Sequence, residues 1–218
     1  MLISFAICLH LILLGYTLGS LNTSILLSKF WKKQDVRDFH SENAGATNSY
    51  RVFGKSFAIT VLLIDIAKGY LAVLLGYVFW KHFEGQYNYI PLLAGLACVI
   101  GHTFPIFFKF KGGKGVGCAI GVLIALNIVL LPIAALFFFG IIFATRYVSL
   151  ASVLTALIMI IFVSIPWMSN GILAYTTPQT LPFYANSIVF ALCAFFIVFT
   201  HRSNIKRLLN KSERKFTF

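Results

Sequence analysis

Apolar runs divided by short basic loops constrain this chain more than any other feature. They fall at about 2–27, 57–80, 89–108, 116–145, 148–167 and 186–200. A helix needs roughly 20 apolar residues to cross the hydrocarbon core of a bilayer, where every backbone polar group must be satisfied within its own element. The fourth run is too long for one such helix, and Asn127 and Pro132 interrupt it. It divides into a short helix from Val116 to about Ile128 and another from about Leu130 to Thr145, giving seven spans. Only 11% of the residues are charged and 59% are hydrophobic, against roughly 25% charged in soluble domains. The expected fold is an all-α integral membrane protein, a seven-transmembrane-helix bundle built as one unit over 1–218. The first run is too long for a signal-peptide core and has no basic segment before it, so it is expected to stay in place.

Charge placement orients the bundle. With the N-terminus outside, the inner loops and tail collect 16 of the 18 Lys and Arg residues, leaving Lys81 outside and Lys68 within a span. That asymmetry predicts an outer N-terminus and a cytoplasmic C-terminus. The net charge of +12 does not point to nucleic acid, because the basic residues sit between apolar segments. Cys8, Cys98, Cys118 and Cys193 are scattered through apolar stretches without C-x-x-C spacing and read as packing residues.

The expected inner face carries phosphate-type chemistry in four places. Lys109-Phe110-Lys111-Gly112-Gly113-Lys114-Gly115-Val116-Gly117 is a basic, glycine-rich turn running into an apolar helix. Glycines permit close backbone approach, and a helix start aims free N–H groups at an anion. It is no Walker A loop: Phe108 replaces the first glycine and Gly115 the magnesium-binding hydroxyl. The first loop offers Ser41, Asn43, Thr47, Asn48 and Arg51, short donors beside a guanidinium that can hold phosphate bidentately. Arg146 through Ser152 places hydroxyls beside an arginine, and His201 through Arg207, with Glu213 beyond, closes the last span. Each has a plainer role as cap, turn or basic anchor, but their convergence favours an anion site.

Within the second span, Asp65 and Lys68 stand three residues apart on one helix face, as either an ion pair tying helices together or a catalytic couple. His102, above Pro105, is either a base or a hydrogen-bonded packing residue. H-E-x-x-H, G-x-S-x-G and an H-x-x-x-x-D pair starting at His40 or His102 are all missing, and no carboxylates cluster to hold a divalent metal.

Together these blocks resemble the PlsY family of integral-membrane acyl-phosphate:glycerol-3-phosphate acyltransferases. The matching pieces are Gly19-Ser20, Asp35-x-Arg37, Ser41-x-Asn43-x-Gly45-Ala46-Thr47-Asn48-x-x-Arg51, Asp65-x-x-Lys68-Gly69, Gly101-His102-x-x-Pro105, Lys111-Gly112-Gly113-Lys114-Gly115-Val116, Arg146-x-x-Ser149-x-x-Ser152, and His201-Arg202-x-Asn204-Ile205 with Glu213. They run in the family's order from about residue 19 to 213.

The resemblance implies acyl transfer from acyl phosphate to the 1-hydroxyl of glycerol 3-phosphate, giving lysophosphatidic acid and phosphate. A mixed anhydride needs no enzyme nucleophile, which suits the missing triad, so positioning and electrostatics would carry catalysis. It implies catalytic roles for Ser41, Arg51, Lys114, Ser152, His201 and Asn204. Asn43, Thr47, Asn48, Gly112, Gly113 and Gly115 join them in phosphate binding, and Asp65, Lys68, His102, Arg146 and Glu213 give support. No cofactor and no metal are implied. The implied partners are acyl phosphate, glycerol 3-phosphate, membrane lipid and the upstream acyl-phosphate-forming enzyme, at a bacterial inner membrane. His40 and Glu42 stand where the family commonly has glycine, and Gly117-Cys118 replaces a common Ala-Thr. The alternative is a small membrane carrier or channel for phosphorylated solutes, which should show charged or broken segments on the outer side.

Overall fold

A computed structural model describes residues 2–83, 89–178 and 180–216. Met1 and Phe218, whose sides of the membrane the charge pattern assigns, lie outside the described residues. Among the described residues the regular structure is helical, without strands: α1 (Leu2–Ser20), α2 (Thr23–Lys32), α3 (Ala46–Phe53), α4 (Lys55–His82), α5 (Leu92–Thr103), α6 (Val116–Leu126), α7 (Leu130–Thr145), α8 (Val148–Val163), α9 (Pro166–Asn170), α10 (Tyr184–Thr200) and α11 (Arg202–Leu209).

The first apolar run remains one span-length segment, Phe5–Lys32, as expected, although its helix is interrupted at Asn22. Asn22 caps α2, its Oδ1 accepting from the Ile25 N–H at 3.1 Å. Its amide also donates to the carbonyls of Ala44 and His102, both at 3.3 Å. The fourth run divides as its sequence predicts. Asn127 is extended at the end of α6, and its Oδ1 accepts from the Val129 N–H at 3.0 Å. At the end of the last run the chain bends by 57° between α10 and α11.

Phe5–Lys32 and Lys55–His82 are long and apolar enough to cross a membrane, and a third segment qualifies if α10 and α11 form one bent span. Leu92–Phe108, Val116–Leu126, Leu130–Thr145 and Val148–Val163 are shorter apolar helices. With 11 residues, α6 rises about 16 Å, roughly half the hydrocarbon thickness. Helix length alone thus supports fewer spans than the seven expected.

Small residues set the tightest packing. A Cβ on Gly19 would lie 2.1 Å from the Cys98 carbonyl oxygen, and one on Gly69 2.1 Å from that of Cys118. Backbones of α1 and α5, and of α4 and α6, therefore touch directly, as in membrane bundles where packing replaces the hydrophobic drive. Val73, Cys98, Val122, Leu126, Met159, Phe190 and Cys193 fill the central core. The four cysteines are unpaired; Cys98, Cys118 and Cys193 are buried and Cys8 half-buried.

Helix ends gather at two levels. At one, Thr200 Oγ1 donates to the Lys114 carbonyl at 3.2 Å, joining the end of α10 to the turn before α6. The Phe216 N–H donates to the Arg146 carbonyl at 2.7 Å, so the C-terminal tail folds back over the α7–α8 turn. At the other, Asn127 donates to the Met168 carbonyl at 3.2 Å and Thr176 to that of Ala125 at 2.7 Å.

Candidate active site

The glycine-rich turn is bound mainly to protein. The Gly112 N–H donates to the Thr103 carbonyl and the Gly113 N–H to that of His102, each at 3.0 Å. The Gly112 carbonyl accepts from the Ala44 N–H at 3.2 Å and faces the Asn43 amide at 3.5 Å. The close approach that these two glycines allow is to His102: a Cβ on Gly113 would sit 2.0 Å from its Nε2. The N–H groups of both glycines are thus already bound within the protein. Gly115 lies in the left-handed region at φ 82° and sets the turn into α6.

Arg37 locks this turn to the first loop. Its Nη1 donates to the carbonyls of Phe108 and Lys111, each at 3.0 Å, while Nη2 pairs with Asp35 at 2.8 Å. Partial burial works to raise the Asp35 pKa, but the hydrogen bonds from Arg37 and Lys29 prevail and hold it well below the usual carboxylate range. Asn48 organises the same loop: its amide donates to Val36 and Phe39 carbonyls at 2.9 and 3.2 Å, and its Oδ1 accepts from the Ser41 N–H. Its side chain is committed to holding Ser41. Ser41 and Thr47 are exposed.

Two of the implied phosphate ligands, Lys114 and Asn204, meet where the turn before α6 and the start of α11 converge. Lys114 Nζ donates to Asn204 Oδ1, and Asn204 Nδ2 donates to Glu213 Oε1 at 2.7 Å. Ser149 donates to the same oxygen at 2.8 Å, and Arg207 Nε meets Glu213 Oε2 at 2.6 Å. Burial first, then Arg207 and Arg51, push the Lys114 ammonium down to about 8, with Glu213 opposing. Burial, Arg214 and Arg207 lower the Arg51 pKa, again against Glu213. Arg51 therefore lies within electrostatic reach of three further cations, Lys114, Arg207 and Arg214, and of the Glu213 carboxylate. Arg51 is half-buried and makes no ion pair among the described residues. This concentrated positive potential suits a multiply charged anion.

His201 is buried within electrostatic reach of Lys114 and Glu213. Its Nδ1 lies 2.8 Å from the Ile197 carbonyl. A carbonyl can only accept, so Nδ1 carries the proton in the neutral ring and Nε2 keeps its lone pair. Arg146 is exposed in left-handed backbone, with its carbonyl held by the tail.

Asp65, Lys68 and His102 form one buried network. Lys68 Nζ lies 2.9 Å from Asp65 Oδ1 and 3.0 Å from His102 Nδ1, and donates to the carbonyls of Gly19 and Leu21 at 3.3 and 3.2 Å. Thr23 donates to Asp65 at 2.8 Å. The network ties the α1–α2 break to α4 and α5, directly behind the glycine-rich turn. Asp65, His102 and Cys118 also bring potential metal-ligand atoms within 4.8 Å of one another. The Lys68 ammonium already binds two of them and compensates the carboxylate, which favours an ion-pair network over a cation site.

An apolar cavity of about 240 Å³ adjoins the polar cluster. Val116 and Ile197 line it, two residues beyond Lys114 and one helical turn before His201, together with Ser152, Leu123, Phe138 and Met159. Ser152 Oγ donates to the Val148 carbonyl at 2.9 Å. A cation-rich cluster thus abuts a greasy slot between α4, α6, α7, α8 and α10.

The chain matches the family described as glycerol-3-phosphate acyltransferase over residues 9–211. It belongs to that family. The glycerol-3-phosphate acyltransferase of Mycoplasmopsis synoviae is 52% identical over 218 residues, covering 99% of this chain and 97% of that protein. The enzyme of Enterococcus faecalis is 40% identical, over 95% of this chain and 91% of its own length. Among solved structures, the integral membrane acyltransferase PlsY in its glycerol 3-phosphate form superimposes with a TM-score of 0.79 at 32% identity, covering 96% of both chains. Its lysophosphatidic acid form gives 0.77 at 31% identity, covering 96% of this chain and 95% of that one.

This acyltransferase is an integral membrane helical protein of phospholipid synthesis. The two departures beside Ser41 have a physical account. His40 and Glu42 adopt φ 52° and 55°, the left-handed backbone that glycine enters most easily, and both side chains are exposed. The Glu42 charge thus stays in solvent. Gly117 faces Asp65, whose Cβ would lie 2.9 Å from an added methyl. Arg37, Asn22, Arg207 and Arg214 are absent from the residues expected at the site. Asn22 had a legible signal, an Asn-Thr-Ser cap sequence inside an apolar run.

Proposed function

We propose that this acyltransferase moves a fatty acyl group from acyl phosphate to the 1-hydroxyl of sn-glycerol 3-phosphate. The observation that carries this is the junction of the cation cluster with the apolar cavity. Both substrates bear phosphate and one bears an alkyl tail, so a polar seat continuous with an apolar slot suits both. Relatives are named for glycerol 3-phosphate, and PlsY has been solved in glycerol 3-phosphate and lysophosphatidic acid forms.

In the reaction, the glycerol hydroxyl oxygen forms an ester bond to the acyl carbon. The bond from that carbon to the bridging oxygen breaks, its electron pair leaving on inorganic phosphate. The hydroxyl proton passes to a base, for which His201 Nε2 supplies a lone pair. Arg51 and Lys114 neutralise the phosphates, Asn204 and Glu213 hold Lys114, and Ser41 and Ser152 complete the rim. Catalysis rests on positioning and charge stabilisation, without a covalent enzyme intermediate. The bundle acts as one unit of seven spans in a bacterial inner membrane, its site on the cytoplasmic face.

The test is incubation of purified protein with palmitoyl phosphate and glycerol 3-phosphate, with lysophosphatidic acid read by mass spectrometry. Product is expected from palmitoyl phosphate and not from palmitoyl-CoA. Robust turnover of the thioester alone overturns the donor assignment.

A further inference from the structure

Lys109 and Phe110 stand side by side in left-handed backbone, at φ 57° and 56°. Neither is glycine and both side chains are exposed, so their own burial does little to offset the conformation. Residues held this way persist only where the surrounding structure over-determines them. One side chain does so here. Arg37 Nη1 donates to the carbonyls of Phe108 and Lys111, each at 3.0 Å, the residues immediately before and after the left-handed pair.

The other edge of the guanidinium is fixed as firmly. Nε and Nη2 donate to the two Asp35 oxygens at 3.0 and 2.8 Å, and Lys29 pairs with the same carboxylate at 3.1 Å. Phe108 anchors the bracket by packing against Ile25, Val36 and Ala44. The bracket lies between the carriers of two cations. Lys114 follows Lys111 by three residues. The Val36 carbonyl, next to Arg37, accepts from the Asn48 amide at 2.9 Å, and Asn48 precedes Arg51 by three residues on α3.

We infer that Arg37 is a positioning residue of the acyltransferase: by bracketing the left-handed pair it sets where the Lys114 ammonium stands relative to Arg51, and so the spacing at which phosphate is held. This rests on phosphate binding by those two cations as proposed above. The hydrogen bonds of Arg37 all go to protein groups, so it acts through Lys114. Displacement of a binding group by about 1 Å can lower the rate about 100-fold.

The experiment compares wild type, Arg37→Lys, and Arg37→Lys combined with Lys109→Gly and Phe110→Gly, using palmitoyl phosphate and glycerol 3-phosphate. Lysine keeps the charge beside Asp35, but a single ammonium does not face both edges of the bracket. Its kcat/KM should fall about 10- to 100-fold. A displaced Lys114 is less buried, so the alkaline limb of kcat/KM should move up from about pH 8 toward the ordinary lysine value of about 10.4. Arg51, His201, Arg207 and Glu213 are the charged and titratable groups facing Lys114, and these substitutions leave all four in place. Glycine enters left-handed backbone without strain, so the triple variant should recover much of the lost activity and return the limb toward pH 8. Wild-type kcat/KM in Arg37→Lys overturns the inference while the proposed reaction stands. So does lost activity with the limb still at about pH 8, or a triple variant no better than Arg37→Lys. Failure of wild type to use palmitoyl phosphate at all overturns both.

Discussion

Gly113 rests against the imidazole of His102 so closely that a methyl group on it would lie 2.0 Å from Nε2. The ring cannot retreat, because its other nitrogen sits 3.0 Å from the Lys68 ammonium in a buried network. Gly113→Ala should therefore disturb folding as well as activity. Overpacking of this kind costs about 1–3 kcal/mol, seen as a lower melting temperature in detergent together with a reduced kcat/KM. Lost activity at an unchanged melting temperature would return the glycine to direct ligand contact.

The same network predicts a strong asymmetry between single and double replacements. Asp65→Asn or Lys68→Met leaves one buried charge uncompensated and should destabilise by about 3–5 kcal/mol. The double variant removes both charges and should recover a substantial part of that loss. A double-mutant cycle in thermal unfolding measures the coupling. Additive effects would show that the pair does not act as a unit.

What the sequence made legible follows the physics of each signal. Apolar runs and the break at Asn127 are local, so helix positions could be read to within a few residues. The convergence of Lys114, Ser149, Asn204 and Glu213 was approached from charge placement and family resemblance, since four turns on one membrane face must lie near one another. Their bonding was beyond reach, because it joins residues up to 90 positions apart. Arg37 shows the limit most clearly. Its partners are the backbone carbonyls of Phe108 and Lys111, which have no signature in a side-chain pattern. The cavity was equally hidden, for it arises from the packing of separate helices.

Topology gives a further prediction. The charge asymmetry assigns the 168–185 loop to the outside and the tail to the cytoplasm. A cysteine introduced at Ile172, which is exposed, should react with an impermeant maleimide in intact cells. One at Ser212 should react only after permeabilisation. Labelling of both in intact cells would rule out an arrangement that keeps them on opposite sides.

The Lys114 ammonium predicts the alkaline limb of the pH profile. Its pKa is pushed down to about 8, so the free enzyme carries the charge below that pH and loses it above. On the proposed reaction the cation binds phosphate, so kcat/KM should fall as pH rises through about 8. A bound phosphate dianion favours the charged form, so the limb in kcat should lie at higher pH. Lys114→Arg should abolish the limb up to at least pH 10 even where overall activity is reduced. Persistence of the same limb in that variant assigns it to another group.

Arg51 provides the sharpest separation of function from stability. It is half-buried, without an ion pair among the described residues, and Arg214 and Arg207 repel it. Removing it relieves like-charge crowding, so Arg51→Ala should melt no lower than wild type. On the proposed reaction the guanidinium fork holds a phosphate through two parallel bonds, so activity should fall steeply. Arg51→Lys keeps the charge and loses the fork. Loss of one charge-assisted hydrogen bond corresponds to about 1.5–3 kcal/mol, or roughly 10- to 150-fold in kcat/KM. The measurement is kcat/KM at subsaturating acyl phosphate and, separately, at subsaturating glycerol 3-phosphate, which also identifies whose phosphate Arg51 holds. Full activity of Arg51→Lys toward both substrates would remove the arginine from the site, as would an alanine variant whose lost activity tracks lost folding.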